Sequence, residues 1–168
     1  DWFIQNICTW EWNNQTDIGK TFASSVEEKI AEFPEWEKEI CMYWERWEDM
    51  IGGAVEGMLD WICELKKAGY KVYGLSNWSA ETFPLVKDKF PVFKMMDGIV
   101  ISGEELIAKP DHRIYQILLN RYNLQANECV FVDDRQGNID AAKELGIHGI
   151  TFINCEQAKN AFYHIIKN

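Results

Sequence analysis

The sequence lacks the features that mark several classes of protein. It has no uninterrupted apolar run of about 20 residues, the length that crosses a bilayer, so no membrane-spanning segment is expected. It shows neither a basic start followed by an apolar stretch nor an Arg- and Ser-rich leader, so we expect no export or organelle signal. A Gly-rich phosphate loop and a G-x-S-x-G elbow are also missing. Binding of ATP or NAD and serine-based hydrolysis are therefore not implied.

Paired cysteines and concentrated basic segments are absent as well. The cysteines are odd in number, widely spaced and without a CxxC pair, which argues against a zinc cage and against a disulfide framework. They are Cys8, Cys41, Cys63, Cys129 and Cys155. We interpret them as reduced core thiols of a cytoplasmic protein. The net charge of −10 would repel a phosphate backbone, so nucleic acid is not an expected partner.

The chain divides into two regions of different character. Its 168 residues suffice for one core domain with a modest insert. Before Ile51-Gly52-Gly53 the sequence is rich in Trp and Glu at helical spacing, and after it short β-branched runs alternate with amphipathic helices. We therefore expect a small helical region over 1–50 and an α/β region over 51–168.

In the first region, Ser24-Ser25 resembles a helix cap, and Pro34 is typical of the start of a second helix. Most of the tryptophans are expected to pack in a core. Trp10, Trp12 and Asn13 are expected in a loop, where contact with a substrate is more plausible; Trp12 and Asn13 are therefore candidate substrate-binding residues.

The second region predicts a Rossmann-like α/β fold, in which a parallel sheet has helices on both faces. Strands are expected at 71–75, 98–101, 129–132 and 148–152, with helices between them. Ligands of such folds bind beyond the carboxyl ends of the strands. The chemistry is therefore expected just after Leu75, near Lys109 and just after Val132.

Two of these positions carry weak signals when taken alone. Ser76-Asn77 could hold a phosphate oxygen at a helix start, although Ser and Asn also cap helices for purely structural reasons. Lys109 precedes Pro110-Asp111 at a helix entrance, whereas an isolated Lys is usually a surface charge.

The third position carries a stronger signal. Asp133 and Asp134 follow an apolar strand, with Asn138 four residues later, and such an oxygen-rich loop suits Mg²⁺. A helix cap would explain one Asp but would leave the second carboxylate repelled by the first. A bound metal ion removes that repulsion.

In order and spacing, Leu75-Ser76-Asn77, Lys109-Pro110 and Val132-Asp133-Asp134 through Asn138 resemble the second, third and fourth motifs of the haloacid dehalogenase superfamily. The resemblance extends across the chain. It is strongest to the branch with sugar-phosphate phosphatases and the phosphatase domain of soluble epoxide hydrolases, and it implies that residues 1–50 are the family's helical cap.

The resemblance also implies roles. Ser76 would bind the transferring phosphoryl group, Lys109 would neutralise charge on it, and Asp134 would hold Mg²⁺. Asp133 and Asn138 would support the metal, directly or through water. Asn77 is a further candidate for binding the substrate. Positioning and positive charge are what a phosphoryl transition state needs.

The family's first motif, a strand followed by Asp-x-Asp, has no counterpart in the sequence. In the family, the first Asp attacks phosphorus and the second protonates the leaving group and activates water. Its strand lies in the middle of the sheet. We therefore expect a gap between two halves of the sheet, and an N-terminal segment of a few tens of residues to supply the strand.

The predicted function is Mg²⁺-dependent hydrolysis of a small phosphorylated metabolite, with a sugar phosphate suggested by analogy. Two alternatives stay open, a 2-haloacid dehalogenase and an inactive phosphate-binding or regulatory protein of the same fold. Paired carboxylates count against the first, and the true N-terminus decides between the second and an active enzyme. The sequence does not determine the oligomeric state.

Overall fold

The computed structural model describes residues 2–167, so residues 1 and 168 of the two expected regions lie outside the described residues. Residues 2–50 form helices without a strand. The α-helices are α1 (Trp2–Asn6), α2 (Trp10–Asn14), α3 (Phe22–Glu32) and α4 (Glu37–Glu45). Short 3₁₀ helices span Thr16–Ile18, Pro34–Trp36 and Trp47–Met50.

Hydroxyl caps fix where the early helices begin. The hydroxyl oxygen of Thr9 accepts a hydrogen bond from the Trp12 amide at 3.2 Å, and that of Thr21 accepts one from the Ser24 amide at 3.2 Å. The expected cap at Ser24-Ser25 is therefore wrong, because Thr21 takes the extended conformation of a cap and Ser25 is fully buried within α3.

The expectation that Trp10, Trp12 and Asn13 lie in a loop is also wrong, because all three belong to α2. Trp12 belongs to α2, is 5% exposed and packs with Ile7, Cys8 and Ile40. Its indole N–H donates to the carbonyl of Ser25 at 3.2 Å, which satisfies its one polar group. Trp12 is thus a core residue of the helical region.

Residues 58–167 contain the strands. These are β1 (Tyr73–Ser76), β2 (Gly98–Ile101), β3 (Val130–Asp133) and β4 (His148–Thr151). The helices are α5 (Met58–Lys67), α6 (Phe83–Val86), α7 (Pro91–Met95), α8 (Ser102–Glu105), α9 (His112–Arg121), α10 (Gln136–Glu144) and α11 (Cys155–Ile165), with a 3₁₀ turn at Ala126–Glu128.

The strands form two parallel pairs, β1 with β2 and β3 with β4. Tyr73 pairs with Gly98 at the start of the first pair, and Val130 pairs with His148 at the start of the second. The predicted α/β class with parallel strands is confirmed. The strands of residues 2–167 do not form one continuous sheet, because β1 and β3 are not hydrogen-bonded to each other.

Helices cover the strands and join the two pairs. One cluster packs α9 and α10 under both pairs, with Ile114 and Tyr115 completely buried beside Val100 of β2 and Phe131 of β3. Another cluster places Trp61 of α5 and residues of α11 against β3 and β4. Burial of side chains this large contributes about 1.5–3 kcal/mol each. The α9–α10 cluster therefore holds the two strand pairs in place.

Within residues 2–167, no helix combines the length and the apolar character that crossing a membrane requires.

Candidate active site

The carboxyl ends of β1 and β3 meet at Lys109. Its ammonium donates to the Leu75 carbonyl of β1 at 2.7 Å and to the Asp133 carboxylate of β3 at 2.7 Å. The Lys109 and Asp133 side chains are only 10% and 7% exposed. The three sequence positions at which chemistry was expected are thus brought together around one buried cation.

The side chain of Asn77 holds both the backbone N–H and the backbone carbonyl of Lys109. Its side-chain nitrogen donates to the Lys109 carbonyl at 3.0 Å, and its side-chain oxygen accepts from the Lys109 amide at 2.8 Å. The following peptide bond, Lys109–Pro110, is cis, and Asp111 then caps α9 by accepting from the Arg113 amide at 2.9 Å. Asn77 therefore positions Lys109, a role that the sequence did not suggest.

Asp133 is surrounded by donors. Besides Lys109, the amide of Arg135 and the side-chain nitrogen of Asn138 each donate to it at 2.9 Å. Burial would raise the pKa of Asp133, but these bonds and the charge of Lys109 outweigh burial and hold the pKa below its usual value. Asp133 is therefore ionised, and its oxygens are occupied by protein donors.

Asp134, the next residue, is exposed at the end of β3. Residues 2–167 contain no group of three or more His, Cys, Asp or Glu side chains placed to hold a metal ion. Mg²⁺ keeps several waters and commonly takes one or two carboxylates together with substrate phosphate. The exposed carboxylate of Asp134 suits that requirement. Beside it, the buried Asn138 donates a hydrogen bond to Asp133.

Ser76 is the last residue of β1, half-buried and in register with Ile101 of β2. The loop that follows it is held by β2 and α8: the Trp78 amide donates to the Ser102 hydroxyl at 2.9 Å, and the Gly103 amide donates to the Trp78 carbonyl at 3.0 Å. Gly103 allows this approach, since a Cβ there would lie 2.4 Å from the backbone nitrogen of Ala80.

A cavity of about 190 Å³ opens beside this loop, between the helical region and the α/β region. Trp10, Asn13, Asp17 and Trp47 line it from the helical region, and Asn77 and Trp78 line it from the loop after β1. Asn13 lines this cavity from α2, whereas Trp12 does not line it.

Specific contacts join the two regions around the cavity. The Phe22 amide donates to the Glu81 carboxylate at 2.7 Å, and the rings of Trp47 and Trp78 meet edge to face with centroids 6.3 Å apart. The guanidinium of Arg135, just after the paired aspartates, lies 4.3 Å from the centroid of the Trp10 ring. The helical region therefore contacts the segments that follow β1 and β3.

Sequence reasoning missed Asp17. It is 8% exposed in the 3₁₀ helix between α2 and α3. Burial raises its pKa to about 6, although the charge of Arg135 acts in the opposite direction. The only local signal was the turn-like Thr16-Asp17-Ile18-Gly19, with Gly19 at φ 100°, and a turn signal does not reveal burial.

Comparison with known proteins identifies the family. Residues 8–146 match the family model for haloacid dehalogenase-like hydrolases. The chain is 33% identical over 93 residues to the sesquiterpene phosphatase astK of Aspergillus oryzae, covering 55% of this chain and 47% of that protein. It is 30% identical over 87 residues to (S)-2-haloacid dehalogenase 4A of Burkholderia cepacia, covering 52% of this chain and 38% of that protein. The chain thus spans less than half the length of these two relatives.

A solved structure has the same fold. It is an HAD family enzyme of Bacteroides thetaiotaomicron, an aspartate-to-alanine mutant in complex with magnesium and inorganic phosphate. It superposes with a TM-score of 0.75 at 24% identity, over 95% of this chain and 85% of that one. With the family model matching most of its length, this chain belongs to the haloacid dehalogenase-like hydrolases.

Proposed function

We propose that the chain takes part in Mg²⁺-dependent hydrolysis of a small phosphomonoester, for which a sugar phosphate is one candidate. The observation that carries the proposal is the buried Lys109 ammonium at the meeting point of β1 and β3. A fixed cation at this position can neutralise the negative charge of a phosphoryl group during its transfer. The phosphatase relative and the neighbour complexed with magnesium and phosphate support the same reaction.

The proposed roles follow from position. Ser76, at the end of β1, donates its hydroxyl to a phosphoryl oxygen, and Lys109 neutralises charge on that group while Asn77 holds its backbone. Asp134 holds Mg²⁺, with Asp133 and Asn138 ordering its loop. When bound, the metal supplies further positive charge to the phosphoryl oxygens.

The attacking carboxylate is proposed to come from an additional strand. No strand within residues 2–167 is followed by Asp-x-Asp, and the edges of β1 and β3 that face away from their partners are unpaired within these residues. An inserted strand would satisfy the backbone groups of both edges and would bring its carboxyl end to Lys109. A structure of the active enzyme should contain this strand; direct pairing of β1 with β3 would rule it out.

The test is phosphate release by the natural protein that carries this chain. We expect release from a panel of phosphomonoesters with Mg²⁺, and none with EDTA. Asp134→Ala should lower kcat by roughly 10²-fold or more. Its control, Asp88→Ala, removes a side chain that is 76% exposed and should leave kcat unchanged.

Other outcomes would overturn the proposal. Chloride release from 2-chloropropionate without phosphate release would identify a dehalogenase, as the relative from Burkholderia cepacia suggests. If the protein releases neither chloride nor phosphate but binds inorganic phosphate, the result would favour the binding or regulatory role. Phosphate release that persists in EDTA would remove the metal from the mechanism.

A further inference from the structure

The cavity between the two regions contains a carboxylate that the proposed reaction does not use. Asp17 lines the cavity with only 8% of its surface exposed. Among residues 2–167, its carboxylate makes no hydrogen bond and no ion pair, and the charged or titratable groups that face it are Arg135 and Tyr43. Buried carboxylates are ordinarily paired, because an unpaired one is costly to remove from water.

A purely structural role does not account for Asp17. It caps no helix of eight or more residues, and its own 3₁₀ helix has only three residues. A neutral residue at this position would avoid the cost of burying a charge. Residues that lower stability without a local reason are expected at functional positions.

The surroundings of Asp17 show what the cavity can accept. The rings of Trp10, Trp47 and Trp78 line it, and Trp10 is 53% exposed despite the guanidinium on its face. The cavity also reaches Asn77, which holds Lys109. A group that extends from the proposed phosphoryl position therefore meets aromatic surface and one carboxylate that lacks a donor.

We infer that Asp17 selects the leaving group of the substrate by accepting a hydrogen bond from a donor on it, inside the aromatic cavity. The ligand class is a phosphomonoester whose alcohol part has an apolar body and a hydroxyl or ammonium group. The inference rests on the proposed phosphatase function. It makes Asp17 a specificity-determining residue that acts away from the transferring group.

The experiment compares three series of substrates of equal chain length, the alkyl, ω-hydroxyalkyl and ω-aminoalkyl phosphates. The measured quantity is the ratio of kcat/KM between a donor-bearing substrate and its methyl-terminated match. We expect one donor series to exceed the alkyl series by roughly 10- to 100-fold, the range for a hydrogen bond to a charged group. Whether the hydroxyl or the amino series does so identifies the donor.

Asp17→Leu, which has no acceptor, should reduce that ratio to near one, and Asp17→Asn, whose amide oxygen still accepts, should reduce it only in part. The control Asp49→Leu, at a carboxylate that is 61% exposed in the same helical region, should keep the ratio. The thermal stability of Asp17→Asn at neutral pH should equal or exceed that of the wild type. Equal rates for the three series, a ratio unchanged in Asp17→Leu, or clear destabilisation by Asp17→Asn would overturn the inference. Absence of phosphate release from every series would instead be a failure of the proposed function.

Discussion

The ammonium of Lys109 lies 2.7 Å from the carboxylate of Asp133 and 2.7 Å from the carbonyl of Leu75. One side chain thereby connects two strand pairs that share no backbone hydrogen bond within residues 2–167. Both members of this ion pair are largely buried, so each depends on the other for its charge to be tolerated.

Replacing Lys109 by Met should lower both stability and turnover. Asp133 would be left as a buried charge without its cation, which costs about 3–5 kcal/mol. Urea unfolding measures the loss, and phosphate release should fall by roughly 10²- to 10³-fold. Lys38→Met, on an exposed side chain, is the control and should change neither quantity.

A double variant separates these two effects. Lys109→Met combined with Asp133→Asn removes the unpaired charge and should recover most of the lost stability, yet it should recover no activity. If the single variant unfolds at the same urea concentration as the wild type, the ion pair does not support the fold.

Asn77→Ala should act through the placement of Lys109. It removes the two hydrogen bonds that hold the Lys109 backbone, so the ammonium would be displaced and kcat should fall by roughly 10- to 100-fold. The loss of stability should be about 1–2 kcal/mol. Asn120→Ala, at an exposed position on α9, serves as the control. An unchanged kcat would mean that Lys109 keeps its position without this amide.

Gly103→Ala should disturb the loop that follows β1. The added Cβ would lie 2.4 Å from the Ala80 nitrogen and 2.8 Å from the Trp78 carbonyl oxygen, so backbone must move. We expect a destabilisation of roughly 1–3 kcal/mol and a raised KM, measured by thermal unfolding and by kinetics. Gly137→Ala meets no atom within 4 Å and should be neutral or slightly stabilising.

Asp17 should make stability depend on pH. Burial raises the folded-state pKa of Asp17 from 3.8 to about 6. Its contribution to the free energy of unfolding is therefore fully present below pH 3.8 and is lost as the pH rises through 6. Asp17→Asn does not titrate, so it should match the wild type most closely near pH 4 and exceed it by roughly 1–3 kcal/mol at pH 7.5. Urea unfolding at the two pH values measures this difference. A difference that is the same at both pH values would contradict the assigned burial.

The strand ends were predictable because they depend on local pattern. Apolar runs that end at Leu75 and Val132, and a Lys directly before Pro110, are visible in the sequence. Parallel topology brings the carboxyl ends of such strands together. The positioning role of Asn77 was not visible, since it depends on a bond across 32 residues.

The helical region was harder to predict. Trp12 and Trp10 lie two residues apart in α2, yet one is buried and the other exposed, and which face is covered depends on α3 and α4 packing against α2. Asp17 is buried although it lies in a short turn, and the cavity that it lines is completed by Trp78, which is distant in the sequence. Neither outcome is encoded in the few residues around these positions.

Three of the eight tryptophans line the cavity, and two of them belong to the helical region while Trp78 belongs to the loop after β1. Indole emission responds to solvent exposure and to nearby charge, and here a guanidinium covers one ring and a second ring touches the third. We therefore expect ligand entry, or separation of the two regions, to change the tryptophan emission spectrum of the protein without any added label.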